Sequence, residues 1–277
     1  MFTTRRTELA IVGLALAGLT GCTDDEEPIG PAPMSWTLVW ADEFDGEEGA
    51  LPDPGRWSYD IGATGWGNNE LQNYTDRDEN ASLDGEGSLA IVAREEAMGT
   101  SDYTSARINT AGKLEQAYGS FEARIKLPTG QGIWPAFWML GADFSEVGWP
   151  ECGEIDIMEH RGQQPWVTTG SLHGPGYSGG NPVTADFVLP GTGDFFDDFH
   201  LFRVDWTPED IAWFVDGEIF QYVRLDELPG ESVFDHPFFL ILNVAVGGNY
   251  VGSPDEGTEF PQTMLVDFVR VYEGTPQ

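Results

Sequence analysis

The chain has 277 residues, with 47 Asp and Glu against 13 Lys and Arg, a formal net charge of −34, and Lys113 and Lys126 as its lysines. A surface of that sign repels nucleic acid, anionic lipid headgroups and sulfated or carboxylated polysaccharides, so nucleic acid is excluded as a partner. The acidic excess suits either life in high salt, where screening removes the self-repulsion, or simply an acidic secreted protein.

The first 22 residues carry Arg5 and Arg6, an apolar run from Leu9, and then Leu19-Thr20-Gly21-Cys22. The run is too short to span a bilayer and has the layout of a secretory signal. Its ending resembles the lipobox of bacterial lipoproteins. Residues 1–21 are therefore expected to be a signal peptide, with Cys22 lipidated and the protein held outside the cell on its envelope. Residues 23–34 combine acids and prolines without periodicity, as a short tether would. With Cys22 used for the anchor, Cys152 has no disulfide partner and reads as a small buried filler rather than a nucleophile.

From Ser35 onward the pattern is that of strands and turns. Alternation marks 35–46, 87–95, 117–128, 199–223, 237–248 and 264–274, and no long segment repeats its apolar residues at helical spacing. Within 199–223, Asp216-Gly217 between apolar flanks predicts a tight hairpin, because that pair accepts positive φ. In 264–274 Leu265, Asp267, Val269 and Val271 read as one face. Strands at this density predict an all-β fold of two packed antiparallel sheets, a single monomeric domain over 35–274.

One predicted strand is anomalous. "GEIDIMEH", residues 153–160, holds Glu154, Asp156 and Glu159 inside an apolar run. Side chains alternate across a strand, so Glu154 and Asp156 share a face and Glu159 points the other way. Either the third acid is unrelated, or a bulge at Ile157-Met158 turns it onto the face of the first two. Acids blunting an exposed edge strand would be the plain explanation. The neighbourhood points elsewhere: Trp134, Trp138 and Trp149 lie just upstream. Indole faces beside paired carboxylates suit sugar chemistry, since the apolar face of a pyranose stacks on an aromatic ring while carboxyls serve as nucleophile and acid/base.

With "GIWPAFWML" before it and "WPECG" abutting it, "GEIDIMEH" resembles the signature of glycoside hydrolase family 16, in its branch of bacterial laminarinase-like endo-β-1,3-glucanases. The spacing Glu-x-Asp-x-x-Glu is that of this branch, whereas lichenases have Glu-x-Asp-x-Glu. The resemblance extends to "WGNNELQNYT", "SARINTAGK", "SLHGPGYSGG" and "NVAVGGNY", and covers 35–273.

The resemblance implies a β-jelly roll with a concave substrate cleft and a retaining mechanism on β-1,3-glucan, without a catalytic cofactor. Glu154 would be the nucleophile, Glu159 the acid/base, and Asp156 the residue that holds Glu154 and sets its neighbours' protonation. Asn69, Glu70, Arg107, His173 and Asn243 would contact sugar hydroxyls, with Trp134, Trp138 and Trp149 as stacking platforms. A structural Ca2+ is expected through the carbonyls of Glu43 and Gly85 and the carboxylate of Asp267, completed by water. Two other readings stay open: a non-catalytic glucan-binding surface lipoprotein, and the same enzyme acting on mixed-linkage glucan or a galactan.

Overall fold

A computed structural model describes residues 30–31 and 34–276; Cys22, the signal segment and most of the expected tether lie outside the described residues. Two sheets face each other as the alternation predicts, antiparallel apart from the parallel pairing of Gln72–Tyr74 with Ser101–Ser105 at the edge of one. The cleft sheet has seven strands, in the order Val183–Val188, Val167–His173, Glu154–His160, Ile133–Gly141, Phe238–Val246, Arg107–Asn109, Ser58–Asp60. The back sheet has ten, with Gly119–Lys126 at its centre between His200–Trp206 and the long last strand Gln262–Pro276. The first strand, Met34–Asp42, pairs along that last strand from Met34↔Pro276 to Asp42↔Val269, so the two ends of the domain close on one another. The strands extend the expected domain by a residue or two at each end.

The core lies between the sheets. Phe121, Ala123 and Ile125 from the back sheet meet Phe137, Met139, Ile155 and Leu242 from the cleft sheet, all essentially inaccessible. Each fully buried side chain of this kind contributes about 1.5–3 kcal/mol. Asp216 and Gly217 form the expected two-residue turn, with φ of 51° and 83° between the paired Val215 and Glu218. Cys152 is free and buried, and burial, aided by the nearby Glu154 charge, pushes its thiol up to about 12, which leaves it an unreactive filler.

The last strand departs from simple alternation. Its register shifts between Val266 and Phe268, so Met264 and Val266 are buried before the bulge and Val269 and Val271 after it. Asp267 is the extra residue. The expected single face of Leu265, Asp267, Val269 and Val271 is thus broken at Asp267 by a bulge that alternation alone does not reveal.

Candidate active site

The anomalous strand is bulged at the expected place. Against Ile133–Gly141 the register runs Asp156↔Trp138 and then Met158↔Phe137; against Val167–His173 it runs Asp156↔Ser171 and then Glu159↔Thr169. Ile157 and Met158 together oppose the single residue Gly170. Ile155, Ile157 and Met158 all enter the core, while Glu154, Asp156 and Glu159 all line one cleft. The extra residue has therefore moved Glu159 across the sheet.

Burial dominates the electrostatics of the three acids. It pushes the carboxyls of Glu154, Asp156 and Glu159 each up to about 8, and the charge of Asp156 pushes Glu154 and Glu159 in the same direction. Like charges this close cannot all ionise together, so the cluster holds protons at neutral pH. Trp134 Nε1 donates to Glu159 Oε1 at 3.1 Å, which favours the charged form of that acid.

His173 stands over the other two. Its Nδ1 accepts the Gly179 N–H at 3.1 Å, which leaves the neutral ring's proton on Nε2, 3.1 Å from Asp156 Oδ2 and 3.6 Å from Glu154 Oε1. Ligating atoms of Glu154, Asp156 and His173 lie within 4.8 Å of one another. In this tautomer the ring N–H lies toward the two carboxylates, nearer Asp156 than Glu154.

The cleft, of about 1230 Å³, crosses the whole sheet from Asp60 and Trp66 to Asp186. Trp138 Nε1 donates to Asn243 Oδ1 at 2.7 Å, and Asn243 Nδ2 donates to the Tyr74 hydroxyl at 3.1 Å. The Tyr74 hydroxyl donates to Glu70 Oε2 at 3.3 Å, and Gln72 Nε2 donates to the same oxygen at 2.6 Å. Burial raises the Glu70 carboxyl above its usual range despite these donors. Arg107 lies between two indoles, its Cζ 4.9 Å from the Trp66 ring and 4.7 Å from that of Trp138, with Nε 2.8 Å from Asp60 Oδ2. Aromatic faces and fixed polar groups at this density are suited to a polyhydroxylated ligand.

Residues 68–269 match the family described as glycosyl hydrolases family 16. The chain belongs to that family. It is 43% identical over 269 residues to a beta-glucanase of Rhodothermus marinus, covering 93% of this chain and 92% of the relative. Among solved structures, the laminarinase catalytic domain of Thermotoga maritima MSB8 superposes with a TM-score of 0.82 at 51% identity, over 86% of this chain and 98% of that one. The endo-beta-1,3-glucanase of Pyrococcus furiosus gives 0.83 at 46% identity, over 87% and 96%. The two-sheet fold is accordingly the jelly roll of family 16, and the chain is a glycoside hydrolase.

Within this family 16 domain most of the expected cleft residues come together: Glu70, Arg107, Trp134, Trp138, Trp149, His173 and Asn243 all line the cleft. Trp149 is the loosest of them, 42% exposed with its ring 5.9 Å from that of His173. Asn69 is the exception. Its backbone turns left-handed, with φ of 57°, and its Nδ2 donates to Asn249 Oδ1 at 2.9 Å on the exterior, so Asn68 and Asn249 line the cleft in its place. Sequence reasoning missed Asp60, Trp66, Tyr74 and Tyr250. Trp66, Tyr74 and Tyr250 lie inside the family-like motifs; Trp66 and Tyr250 line the cleft, while Tyr74 is buried beneath it and bonds Asn243 and Glu70.

Of the expected calcium ligands, the carboxylates of Asp267 and Glu43 are paired with arginines. Arg124 Nη1 is 2.8 Å from Asp267 Oδ2, and Arg270 grips both oxygens of Glu43 at 2.8 Å. A metal at the Asp267 carboxylate would compete with the Arg124 guanidinium, while the main-chain carbonyls of Glu43 and Gly85 take no part in these ion pairs.

Proposed function

We propose that this family 16 hydrolase cuts internal β-1,3-glucosidic bonds of laminarin-type glucans with retention of configuration. The bulge at Ile157-Met158 carries the reading, because it accounts for three acids on one cleft face between Trp134 and His173. The 43–51% identity to proteins described as beta-glucanase, laminarinase and endo-beta-1,3-glucanase supports the choice of polymer.

In the first step a Glu154 oxygen attacks the anomeric carbon while Glu159 gives its proton to the glycosidic oxygen, which departs with the electron pair of the broken bond. In the second, the Glu159 carboxylate takes a proton from water, the water oxygen attacks the anomeric carbon, and the Glu154 carboxylate is released. Such a pair needs one ionised and one protonated carboxyl at one pH. The crowding of the acids supplies the means: once Glu154 is ionised, like-charge proximity, with Asp156 adding to it, keeps the proton on Glu159.

Laminarin hydrolysis followed by reducing-sugar release and by NMR of the first-formed anomer tests this. Glu154→Gln should abolish turnover and Glu159→Gln lower it by about 10²–10⁴-fold, with the wild type releasing the β-anomer. Near wild-type turnover by either variant overturns the residue roles, and no release by the wild type favours a glucan-binding protein. Product profiles on lichenan and agarose address the mixed-linkage and galactan alternatives. We also infer that the enzyme works outside the cell on a lipid anchor at Cys22, a reading supported by the Leu-Thr-Gly-Cys ending. Loss of detergent-phase partitioning by Cys22→Ala tests it.

A further inference from the structure

Trp149 and Trp166 are the tryptophans that stay exposed among the described residues, at 42% and 48%. Trp149 belongs to the cleft. Trp166 does not. It closes the connection between Glu154–His160 and Val167–His173, and with Val188, Leu189, Thr192, Asp194 and two glycines it walls a shallow hollow of about 320 Å³. Among the described residues its indole N–H has no acceptor and no ring packs against it. The main chain beneath it is nonetheless fixed: the Leu189 N–H donates to the Trp166 carbonyl at 2.9 Å, and the Phe195 N–H to the Pro165 carbonyl at 2.8 Å. A half-exposed indole on a pinned backbone is a preformed platform, with much of its apolar surface left to solvent.

The hollow continues the cleft by register. On the edge strand Thr184 and Asp186 line the cleft, Phe187 turns into the core, and Val188, two residues beyond Asp186, lines the hollow opposite Val167. The row Glu159↔Thr169↔Asp186 then sets the separation. Two strand spacings of ~4.8 Å and two residues of ~3.4 Å put the hollow roughly 12 Å from Glu159, farther than a single sugar ring reaches. Its one charged wall residue is the acid Asp194, on a chain of net charge −34, which disfavours an anionic occupant. Asp194 and Thr192 offer acceptors and a donor to hydroxyl groups beside the apolar indole face.

We propose that the Trp166 hollow is an outlying binding site for the neutral β-glucan that the cleft takes, holding a long chain where it passes over the edge strand. This rests on the glucan reading above. Its signature is dependence on chain length: a short oligosaccharide held within the cleft never reaches Trp166, whereas a polymer does.

Trp166→Ala should raise KM for laminarin about five- to ten-fold, equivalent to one lost stacking contact, and leave kcat unchanged. Kinetics on a short β-1,3-gluco-oligosaccharide should match those of the wild type. Trp166→Phe should restore most of the polymer KM, and Val188→Asp, on the far wall, should reproduce the defect. An unchanged polymer KM in Trp166→Ala overturns the site while wild-type turnover leaves the glucanase reading intact. An equal loss on long and short chains overturns it too, since that marks a structural role. So does a wild-type dimer in sedimentation that Trp166→Ala dissolves, because the face would then serve self-association. Failure of the wild type to cleave or bind any β-glucan removes the underlying reading and this site with it.

Discussion

The indole N–H of Trp213, a buried residue of the back sheet, donates to the main-chain carbonyl of Asp156 across 2.8 Å, at the step where the cleft strand loses register. A bulge disrupts the ladder locally, and a buried carbonyl without a partner costs about 1–3 kcal/mol. Trp213→Phe keeps an aromatic ring and removes the donor. Urea unfolding should therefore show a loss of about 1–3 kcal/mol. Turnover should fall more than in a core variant of equal instability, because the bulge that aligns Glu154 with Glu159 has lost its anchor. Equal stability and equal turnover in Trp213→Phe would falsify this role.

Gly170 faces that bulge and has an ordinary φ, so the reason for a glycine is space. A Cβ there would meet Trp213 Cδ1 at 2.6 Å and Nε1 at 2.9 Å. Gly170→Ala should displace the indole, cost about 1–3 kcal/mol as overpacking does, and lower kcat. In a Trp213→Ala background the two closest contacts are gone and only the 3.1 Å approach to Phe220 Cζ remains, so the same substitution should cost less. The coupling read from that double-mutant cycle is expected to exceed about 0.5 kcal/mol, and additivity would show that the two residues do not share the space.

Trp134 makes a prediction about pH. Its N–H on Glu159 favours the ionised acid, so removing the bond raises the Glu159 carboxyl further. On the proposed mechanism Glu159 must be protonated to start the reaction. The alkaline limb of kcat/KM should therefore move to higher pH in Trp134→Phe, with KM raised by the poorer stacking surface. A shift to lower pH, or none, contradicts the assignment.

The fold was legible in the sequence because alternation survives wherever a sheet has one buried face, as in Phe121, Ala123 and Ile125, and because Asp216-Gly217 admits few backbone conformations. The bulge at Ile157-Met158 was legible only as a choice between two faces for Glu159, and the resemblance to family 16 decided it. The second bulge, at Asp267, left no comparable trace: neighbouring Val, Phe and Leu occupy both faces there, so a shift of one residue still reads as alternation. Asn69 failed for a similar reason. Adjacent asparagines in "NNEL" are equivalent on paper, and the left-handed turn at Asn69 alone selects Asn68 for the cleft. Asp60 carried no motif at all; its role comes from the cross-strand pairing of Asp60 with Arg107.

The acid cluster should be visible in stability before any substrate is added. An unfolded chain releases the protons of Glu154, Asp156 and Glu159 near pH ~4 to 4.5, the ordinary carboxylate range. The folded protein, with all three pushed up to about 8, keeps them longer. Between those limits the native state binds more protons than the unfolded state. Stability from this source is therefore fully present below pH ~4 and falls as pH rises toward 8, by at most about 1.4 kcal/mol per pH unit for each proton involved. Asp156, 4% exposed, is the most buried of the three, and its charge also raises the other two. Asp156→Asn should thus melt above the wild type at pH 8, with the gap narrowing toward pH 5, while laminarin turnover falls because Glu159 loses a charge that keeps it protonated. Melting curves across that range decide it: a variant less stable than wild type at pH 8, with an undiminished slope, would mean that neighbouring groups stabilise the carboxylate in place and outweigh the cost of burying its charge.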